Sequence, residues 1–470
     1  MLKLGGKEND MTSSDEAPSL ALLTDRYQLT MLAAYAQGGL AGRRAVFELF
    51  VRRLPASRRF MVACGIGRVA AALGRLRFEP AHLEYLARDP FLATAFARPE
   101  VRRLFEEFRF RARVHAIPEG RICFPHQPLV RVEGTLAEAQ LVETLLLSVI
   151  NHDTRVASKC ARIVASARGR DCFEFGSRRA HELAAVDAAR AAFIAGFVGT
   201  SNEEAARRYG IPVSGTMAHA FVLAHAADHG EDGESAAFAS FCATFSLPST
   251  CLVDTFDTMR GVDRAIVSGG SALAGIRIDS GDLATLALNA RTRLDVAGVA
   301  GARIVLSDDL DEHRIDALTR AGIPVDAFGV GTMAVSTPDA PSLGAVYKLV
   351  AMEDEHGKMV AVQKRSPGKG SSAAPKQVFR RAGAIDDVVA LASETLEGEP
   401  MLLEVFDGER VRIDCSAEAG RRRLEADLAR APARLRSIES RGPSESYPSR
   451  NSEALDALHA RVGVEGRVAL

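Results

Sequence analysis

The fold is decided by a stretch in the second half of the chain, Gly275-Ile276-Arg277-Ile278-Asp279-Ser280-Gly281-Asp282. Its apolar part predicts a strand over Gly275–Ile278, whereas Asp282 to Ala297 repeat apolar side chains at the helical period. Two carboxylates and an arginine therefore stand at the end of a strand that passes directly into a helix. Strands that lead into helices in this way build parallel sheets.

The same unit recurs along the middle of the chain. Short apolar runs end in Gly, Ser, Thr or Asp, and each leads into a helical segment. The predicted strands are Asp171–Phe175, Gly196–Gly199, Pro212–Gly215, Thr250–Val253, Gly275–Ile278, Ala302–Leu306 and Val325–Gly329. So many repeats predict a β/α barrel, and enzymes of that architecture place their sites at the carboxyl ends of the strands.

The segments on either side of these repeats carry other patterns. Helices are predicted over Leu20–Ala36 and Leu136–Ala167, with a strand over Ala45–Val51 between them. The C-terminal part mixes short strands with an arginine-rich helix and a polar tail. We therefore expect a disordered N-terminus (1–18), an N-terminal α/β domain (19–165), a β/α barrel catalytic domain (166–345) and a C-terminal segment (346–470).

Composition is that of an ordinary globular protein. The 470 residues are 47% hydrophobic and 25% charged, and the net charge of −1 gives no overall field that would attract nucleic acid or an anionic membrane. The seven cysteines form no C-x-x-C pair, which argues against a disulfide framework or a zinc site and favours a reducing cytoplasm. No apolar run reaches the ~20 residues that span a bilayer, and the polar start lacks the apolar core of a signal peptide.

Two groups of polar motifs follow the earlier predicted strands. Phe173-Glu174-Phe175-Gly176-Ser177-Arg178-Arg179 offers a ring that can stack on a flat ligand and a guanidinium fork for carboxylate or phosphate. Alone, it is more typical of a buried Phe and a surface arginine pair. Gly199-Thr200-Ser201-Asn202 and Gly215-Thr216-Met217-Ala218-His219 present backbone N–H groups that could hold an anion, although a lone histidine is usually structural.

Three further motifs follow the later strands. The two carboxylates and the arginine of the motif that contains Arg277 and Asp279 could hold ribose hydroxyls or Mg²⁺ or stabilise a developing cation. Asp279 or Ser280 could also cap the next helix, and both roles are compatible. Leu306-Ser307-Asp308-Asp309-Leu310-Asp311 adds carboxylates. Phe328-Gly329-Val330-Gly331-Thr332 allows close backbone approach in the part of a barrel where phosphate sites form. Each motif is weak alone, but the series indicates one enzyme site.

These motifs, in this order, resemble those of the nicotinate phosphoribosyltransferase family. The resemblance starts at Leu23-Thr24-Asp25-Arg26-Tyr27-Gln28-Leu29-Thr30-Met31, runs through the strand-end motifs and closes at Pro341-Ser342-Leu343-Gly344-Ala345-Val346-Tyr347-Lys348-Leu349-Val350. Arg26 stands where an apolar residue is more familiar. The resemblance implies the fold class of the type II phosphoribosyltransferases, which is an irregular β/α barrel plus an α/β domain built from N-terminal and C-terminal segments.

The resemblance also implies a reaction and its partners. Nicotinate reacts with 5-phosphoribosyl 1-pyrophosphate to give nicotinate mononucleotide and pyrophosphate, with coupled ATP hydrolysis, in the salvage of NAD. Mg²⁺ accompanies the pyrophosphates. The implied assembly is a homodimer whose active sites take residues from both subunits.

By the same resemblance, two groups of residues would bind substrate. Those around the pyridine ring and its carboxylate are Tyr27 (donated across the dimer), Phe175, Arg178, Ser201, Thr216 and Arg277, the two arginines also binding phosphate. Those around the 5-phosphate are Gly329, Gly331 and Thr332. Asp279 would stabilise charge on the ribose, and His219 matches the histidine that ATP phosphorylates.

Three alternatives are open at this point. A nicotinamide phosphoribosyltransferase shares the fold, but in those enzymes an aspartate follows Gly-Thr, where it suits an amide and would repel nicotinate; Ser201 here favours the acid. A sugar-phosphate aldolase needs a strand-end lysine, which the quoted strand-end motifs lack. A non-enzymatic paralogue would be expected to have lost some of Arg178, His219, Arg277 and Asp279, all of which are present.

Overall fold

The computed structural model describes residues 18–245, 249–270, 273–364 and 372–470. The predicted disordered N-terminus lies outside these ranges, except for Pro18. No helix within the described ranges has the length and apolar character needed to cross a bilayer.

The first part of the chain supplies strands and helices that surround one end of a long helix. The strands are β1 (Arg44–Val51), β2 (Met61–Val62), β3 (Arg113–Ala116), β4 (Ile122–Cys123) and β5 (Pro128–Thr135). The helices are α1 (Arg26–Gln37), α2 (Ile66–Leu73), α3 (Pro80–Arg88), α4 (Ala93–Phe96), α5 (Pro99–Glu106), α6 (Leu136–Leu141) and α7 (Glu143–Ala167).

Two predicted helices differ from the observed ones at their ends. The first helix starts only at Arg26, because Asp25 has an extended backbone and the residues before it form turns. The long helix predicted over Leu136–Ala167 is split at Val142 into α6 and α7. Thr135 starts α6 with a capping box, in which its hydroxyl accepts from the Glu138 amide and the Glu138 carboxylate accepts from the Thr135 amide.

The middle of the chain forms the strand and helix repeats. The strands are β6 (Asp171–Glu174), β7 (Gly199–Thr200), β8 (Ser249–Leu252), β9 (Leu273–Ile278), β10 (Arg303–Leu306) and β11 (Ala327–Val330). The helices are α8 (Glu182–Ile194), α9 (Glu203–Tyr209), α10 (His219–His229), α11 (Gly233–Thr244), α12 (Thr258–Gly269), α13 (Leu283–Val296), α14 (Glu312–Arg320) and α15 (Thr332–Ser336).

These six strands form one parallel sheet in the order β7-β6-β11-β10-β9-β8. Within the described residues the outer strands β7 and β8 do not pair, so the sheet is a curled half-barrel. The carboxyl ends of all six strands meet at one edge, which is where the quoted polar motifs lie. The prediction of an irregular β/α barrel is therefore confirmed, and the barrel is open between β7 and β8 in the described residues.

Two predicted strands need correction. Residues Pro212–Gly215 form no strand, and Val213 makes only a single bridge to Thr200. Pro212 has no N–H to donate, and it and Val213 are exposed, so little favours further pairing there. The strand predicted over Gly196–Gly199 starts only at Gly199, because Gly196 has φ +109° in the turn that follows α8.

The C-terminal part completes the molecule. Its strands are β12 (Ala345–Glu353), β13 (Met359–Val362), β14 (Lys376–Arg380), β15 (Asp387–Leu391), β16 (Glu399–Pro400), β17 (Leu403–Phe406), β18 (Ser449–Asn451) and β19 (Arg467–Ala469). Its helices are α16 (Ala417–Arg430), α17 (Ala433–Arg436) and α18 (Glu453–Glu465).

A mixed sheet joins both ends of the chain. Its order is β17-β3-β5-β1-β12-β13-β19, so three N-terminal strands lie among four C-terminal ones. A four-stranded sheet, β16-β14-β15-β18, and the pair β2-β4 accompany it. This arrangement confirms the expectation that an α/β unit is assembled from both ends of the chain.

The helix α7 connects this unit to the half-barrel. Leu146 and Ile150 in its first half pack in the core of the mixed sheet, whereas Val156 and Cys160 pack in the core of the half-barrel. Lys159 Nζ lies 2.5 Å from Glu312 Oε2, and both side chains are buried. Separating α7 from α14 would leave each of these buried charges without its partner, which is energetically costly. The ion pair therefore holds α7 against α14.

Candidate active site

A polar cleft of about 160 Å³ lies at the carboxyl edge of the parallel sheet. Its walls come from the carboxyl ends of β6, β9, β10 and β11 and from the segments that follow them: Phe175, Arg178, Arg179, Arg277, Asp279, Ser307, Asp308, Asp309, Gly329, Gly331 and Thr332. Seven of these are residues that the sequence predicted for the site. Since parallel strands end at a common edge, residues far apart in sequence meet there.

The Phe175 ring forms one wall of this cleft. A Cβ at Gly329 would lie 2.5 Å from two carbons of that ring, so only glycine leaves it room. On other sides, the Arg277 guanidinium lies 5.4 Å from the ring centroid, and Phe173 stacks at 6.2 Å with an interplanar angle of 19°. The ring is therefore held from several directions and can act as a platform for a flat ligand.

Arg277, Asp279 and Ser307 form a hydrogen-bonded group beside the ring. Arg277 donates from Nη2 to Asp279 Oδ1 at 2.8 Å and from Nε to Ser307 Oγ at 2.8 Å, and the Ser307 hydroxyl donates to Asp279 Oδ1. Burial raises the pKa of Asp279, but Ser307 and Arg277 outweigh it and hold the pKa below its usual value. Asp279 is consequently an anion at neutral pH.

The helix-cap alternative for Asp279 and Ser280 is wrong. The helix α13 begins at Leu283, and Asp282 caps it by accepting a hydrogen bond from the Thr285 amide at 3.4 Å. The Asp279 side chain instead accepts hydrogen bonds from Arg277 and Ser307. Its carboxylate lines the cleft and can interact with a ligand there.

The sequence prediction missed Asp254, which follows β8. Its Oδ2 accepts hydrogen bonds from the Asp279 amide at 2.9 Å and from the Ser280 hydroxyl at 2.6 Å. Its Oδ1 is buried and has no hydrogen-bond partner among the described residues. The signal was available, because a carboxylate directly follows the predicted strand Thr250–Val253.

His219, at the start of α10, extends the cleft. Its Nδ1 lies 3.0 Å from Thr255 Oγ1, and its Nε2 lies 3.9 Å from Asp279 Oδ2 and 4.0 Å from Asp254 Oδ1. The side chain remains 40% exposed. The imidazole is therefore held through one nitrogen, and its other nitrogen faces two carboxylates and solvent.

Ser201 and Thr216 lie in exposed loops that do not line the cleft. The Ser201 amide donates to the carbonyl of Glu174 at 2.9 Å. The next residue, Asn202, donates from Nδ2 to Ser177 Oγ at 3.0 Å and so connects this loop to the one that carries Arg178. Both loops belong to the same edge of the sheet as the cleft.

Tyr27 is not brought to the cleft of its own chain. It lies on α1 in the first part of the molecule and is 47% exposed. Partial burial and the neighbouring carboxylates of Glu143 and Asp25 raise the pKa of its phenol. Within one chain, the predicted partner of the Phe175 ring is therefore elsewhere on the surface.

The carboxylates of the cleft suit a metal that arrives with its ligand. Within the described ranges, no group of three or more His, Cys, Asp or Glu side chains is placed to hold an ion. Asp279 and Asp309 nevertheless line the cleft, and Asp254 Oδ1 has unused acceptor capacity close by. Mg²⁺ is commonly held by one or two carboxylates plus substrate phosphates, and this donor set fits that pattern.

Comparison with known proteins agrees with this architecture. Residues 22–151 match the model of the nicotinate phosphoribosyltransferase N-terminal domain, and residues 171–397 match that of the nicotinate phosphoribosyltransferase family. The chain is 43% identical to a nicotinate phosphoribosyltransferase of Mycobacterium tuberculosis over 91% of this chain and 94% of the relative. It is 39% identical to that of Bacillus subtilis, over 84% and 79%.

A solved structure of a nicotinic acid phosphoribosyltransferase has a similar fold. The human nicotinic acid phosphoribosyltransferase superposes with a TM-score of 0.78 at 27% identity, over 94% of this chain and all of that one. The half-barrel and the sheet drawn from both chain ends define a type II phosphoribosyltransferase. The matches in sequence then narrow the class: the chain belongs to the nicotinate phosphoribosyltransferase family.

Proposed function

We propose that this protein joins nicotinate to 5-phosphoribosyl 1-pyrophosphate, releasing nicotinate mononucleotide and pyrophosphate, with ATP hydrolysed alongside, in NAD salvage. The observation that supports this most is the cleft in which Phe175, Arg277 and Asp279 meet, because it combines an aromatic platform, a cation and an anion. A flat, negatively charged ring and a reacting ribose need these three features. Ser201 supports nicotinate over nicotinamide, since it adds no negative charge beside the pyridine.

In the proposed mechanism, Asp279 acts at the anomeric carbon. As the pyrophosphate leaves, positive charge builds on the ribose ring, and a fixed carboxylate lowers the energy of that state. Ser307 and Arg277, which hold the pKa of Asp279 below its usual value, keep the carboxylate ionised for this purpose. The pyridine nitrogen is already a nucleophile, so the protein mainly has to hold the two reactants in line.

Other residues of the proposed site would bind the ends of the two substrates. Arg178 and Arg277 would bind phosphate and the nicotinate carboxylate through bidentate guanidinium hydrogen bonds. The absence of side chains at Gly329 and Gly331 lets the backbone approach the 5-phosphate, and the Thr332 hydroxyl would donate to it. Thr216 would contact nicotinate from its exposed loop.

Mg²⁺ would be held by the pyrophosphate oxygens together with the carboxylate of Asp309, which lines the cleft. When bound, it offsets negative charge on the leaving group. ATP is proposed as a co-substrate that phosphorylates His219.

A reaction assay tests the function directly. Purified protein is incubated with 5-phosphoribosyl 1-pyrophosphate and Mg²⁺, and nicotinate, nicotinamide or quinolinate is offered with and without ATP. We expect nicotinate mononucleotide as the main product, with more of it when ATP is present. Equal kcat/KM for nicotinate and nicotinamide would contradict the proposal.

The same assay on Ser201→Asp examines the acid preference. A carboxylate near the nicotinate anion should lower kcat/KM for nicotinate by about tenfold or more, because like charges repel in a partly dry site. Use of nicotinamide should rise, since the new acceptor suits its amide. Ser201→Asn, which adds a similar volume without charge, is the control. An unchanged substrate preference in Ser201→Asp would remove Ser201 from the specificity argument.

We also propose a homodimer in which Tyr27 of one subunit closes over the Phe175 ring of the other. The exposure of Tyr27 and its distance in the fold from its own cleft support this arrangement. An aromatic ring on each side of the pyridine would add stacking that one chain alone does not supply.

Subunit mixing checks the shared site. Tyr27→Ala and Arg277→Ala homodimers should each be nearly inactive, whereas a heterodimer keeps one intact composite site out of two. Random mixing should therefore restore about a quarter of wild-type activity. Each variant unfolded and refolded alone serves as the control. No recovery in heterodimers verified by mass would mean that each site is built from one chain.

Domain limits and a cellular location complete the proposal. We propose an N-terminal α/β domain over 19–165, a catalytic half-barrel over 166–345 and a C-terminal segment over 346–470 that completes the first domain. The mixed sheet that contains strands of both ends supports this division. A cytoplasmic location is supported by the seven cysteines, all of which are free thiols.

A further inference from the structure

Glu174, the last residue of β6, is a carboxylate buried beneath the loops that follow β6 and β7. Its side chain is fully buried. Its Oε2 accepts a hydrogen bond from Thr200 Oγ1 at 2.6 Å, and its Oε1 accepts one from the Gly176 amide. Its partners are thus a hydroxyl from the last residue of β7 and an amide from the loop that follows β6.

These contacts connect two loops that the sheet connects only weakly. The strand β7 has two residues, and its ladder with β6 consists of the pairs Phe173 with Gly199 and Glu174 with Thr200. Beyond that ladder, the Ser201 amide donates to the Glu174 carbonyl and Asn202 Nδ2 donates to Ser177 Oγ. The Glu174 carboxylate adds a buried connection, because it joins Thr200 to Gly176. The Thr200 hydroxyl also accepts from the Asn202 amide at 3.0 Å, so the hydrogen bonds extend into the second loop.

The two loops carry three of the residues proposed to surround the pyridine, whereas Arg277 lies on β9 and Thr216 lies in a third loop. The loop that follows β6 presents Phe175 and Arg178, and the loop that follows β7 presents Ser201. The phosphate and ribose groups of the site, Thr332 and Asp279, come from other strands. A change in the separation of these two loops should therefore act on the pyridine substrate first.

The placement of Glu174 is costly for a purely structural residue. Burial raises its pKa, and this opposes the charged form. The site is also tightly fitted, because a Cβ at Gly176 would lie 2.8 Å from Glu174 Oε1 and 2.5 Å from a methyl of Val335. Buried polar groups with these costs tend to occur where function requires a fixed geometry.

We infer that Glu174 is a positioning residue for the pyridine substrate, which holds the loop of Phe175 and Arg178 at a fixed separation from the loop of Thr200 and Ser201. The inference rests on the proposed function and names a buried side chain that helps to set the width of the nicotinate site. Glu174 acts through these neighbours and does not itself touch the substrate.

The first test removes the Thr200 hydroxyl while keeping the shape of the side chain. Thr200→Val leaves Glu174 Oε2 without its donor, and the loops should separate or shift. We expect the KM for nicotinate to rise about tenfold or more, while kcat at saturation stays within about twofold. The KM for 5-phosphoribosyl 1-pyrophosphate should rise less than that for nicotinate, because Arg178 is only one of its proposed phosphate contacts. Thr200→Ser restores a hydroxyl and should recover most of the nicotinate KM. Thr292→Val, on the exposed face of α13, is the matched control for the substitution itself.

A second variant covers the case in which Thr200→Val does not fold. Glu174→Gln keeps the size but offers one acceptor oxygen to two donors, so the KM for nicotinate should rise less than in Thr200→Val but in the same direction. Melting temperatures are measured for every variant. A lowered melting temperature with a wild-type nicotinate KM would overturn the inference, as would a fall in kcat with the KM unchanged.

The outcomes also separate this inference from the function on which it rests. If the wild-type protein makes no nicotinate mononucleotide, the proposed function fails and the inference fails with it. If the wild type is active and both Thr200→Val and Glu174→Gln keep its nicotinate KM, only the positioning role is overturned.

Discussion

Asp279→Asn is expected to lower kcat by about 10²–10³, with the KM of both substrates close to the wild-type value. The amide keeps an oxygen that can accept from Arg277 and Ser307, so the geometry seen at Oδ1 should survive. What the variant loses is the negative charge, which matters only once positive charge develops on the ribose. Steady-state kinetics with nicotinate and 5-phosphoribosyl 1-pyrophosphate, each varied in turn, measure the split between kcat and KM.

The neighbouring carboxylate Asp282 supplies the matched control. It caps α13 through Thr285 and does not line the cleft, and asparagine caps a helix about as well as aspartate. Asp282→Asn should therefore keep wild-type kcat. If Asp279→Asn and Asp282→Asn were both nearly as active as the wild type, Asp279 would have no electrostatic role in the transition state.

Local patterns were enough to predict most of the half-barrel. The strand β9 and the helix α13 were expected almost at their observed limits, because the apolar run and the helical period are both local signals. The error over Pro212–Gly215 has the same origin. Its sequence is compatible with a strand, but pairing also requires a neighbour and burial, and these depend on the rest of the fold.

The chemistry of the site was predictable only in part. Arg277 and Asp279 lie two residues apart, so their pairing could be expected from the sequence. Ser307 and Asp254 reach Asp279 from the neighbouring strands β10 and β8, and the order of strands in a sheet is not a local property. The sequence therefore identified the residues at strand ends but not which of them would share hydrogen bonds.

The proposed role of Tyr27 could not be predicted from local sequence patterns. Only the family resemblance, and no local pattern, assigned it to the pyridine site. One chain places it on α1, away from the half-barrel cleft. Its proposed role depends on which surfaces of two subunits come into contact. No short-range sequence pattern shows where those surfaces lie.

His219→Ala is expected to abolish phosphorylation of the protein by ATP. The Nδ1 of His219 is engaged with Thr255, which leaves Nε2 to attack the terminal phosphate of ATP. A bond forms between Nε2 and phosphorus as the bond to ADP breaks, and ADP leaves. With labelled ATP, Mg²⁺ and no pyridine, the wild-type protein should acquire an acid-labile, base-stable label, and His219→Ala should acquire none.

The geometry around Nε2 suggests how this step would affect the substrates. A phosphoryl group adds about two negative charges, and here it would lie beside Asp254 and Asp279, whose carboxylate oxygens are 4.0 Å and 3.9 Å from Nε2. That repulsion would favour the binding of Mg²⁺ and a rearrangement of the pyrophosphate site. ATP hydrolysis would in this way be linked to substrate binding.

His219→Ala should therefore lose the stimulation by ATP but keep some ATP-independent synthesis. His225→Ala, on the same helix, should keep both the label and the stimulation. A label that persists in His219→Ala would show that another residue is phosphorylated, and a wild-type protein that stays unlabelled would leave His219 only the role of a hydrogen-bond donor to pyrophosphate.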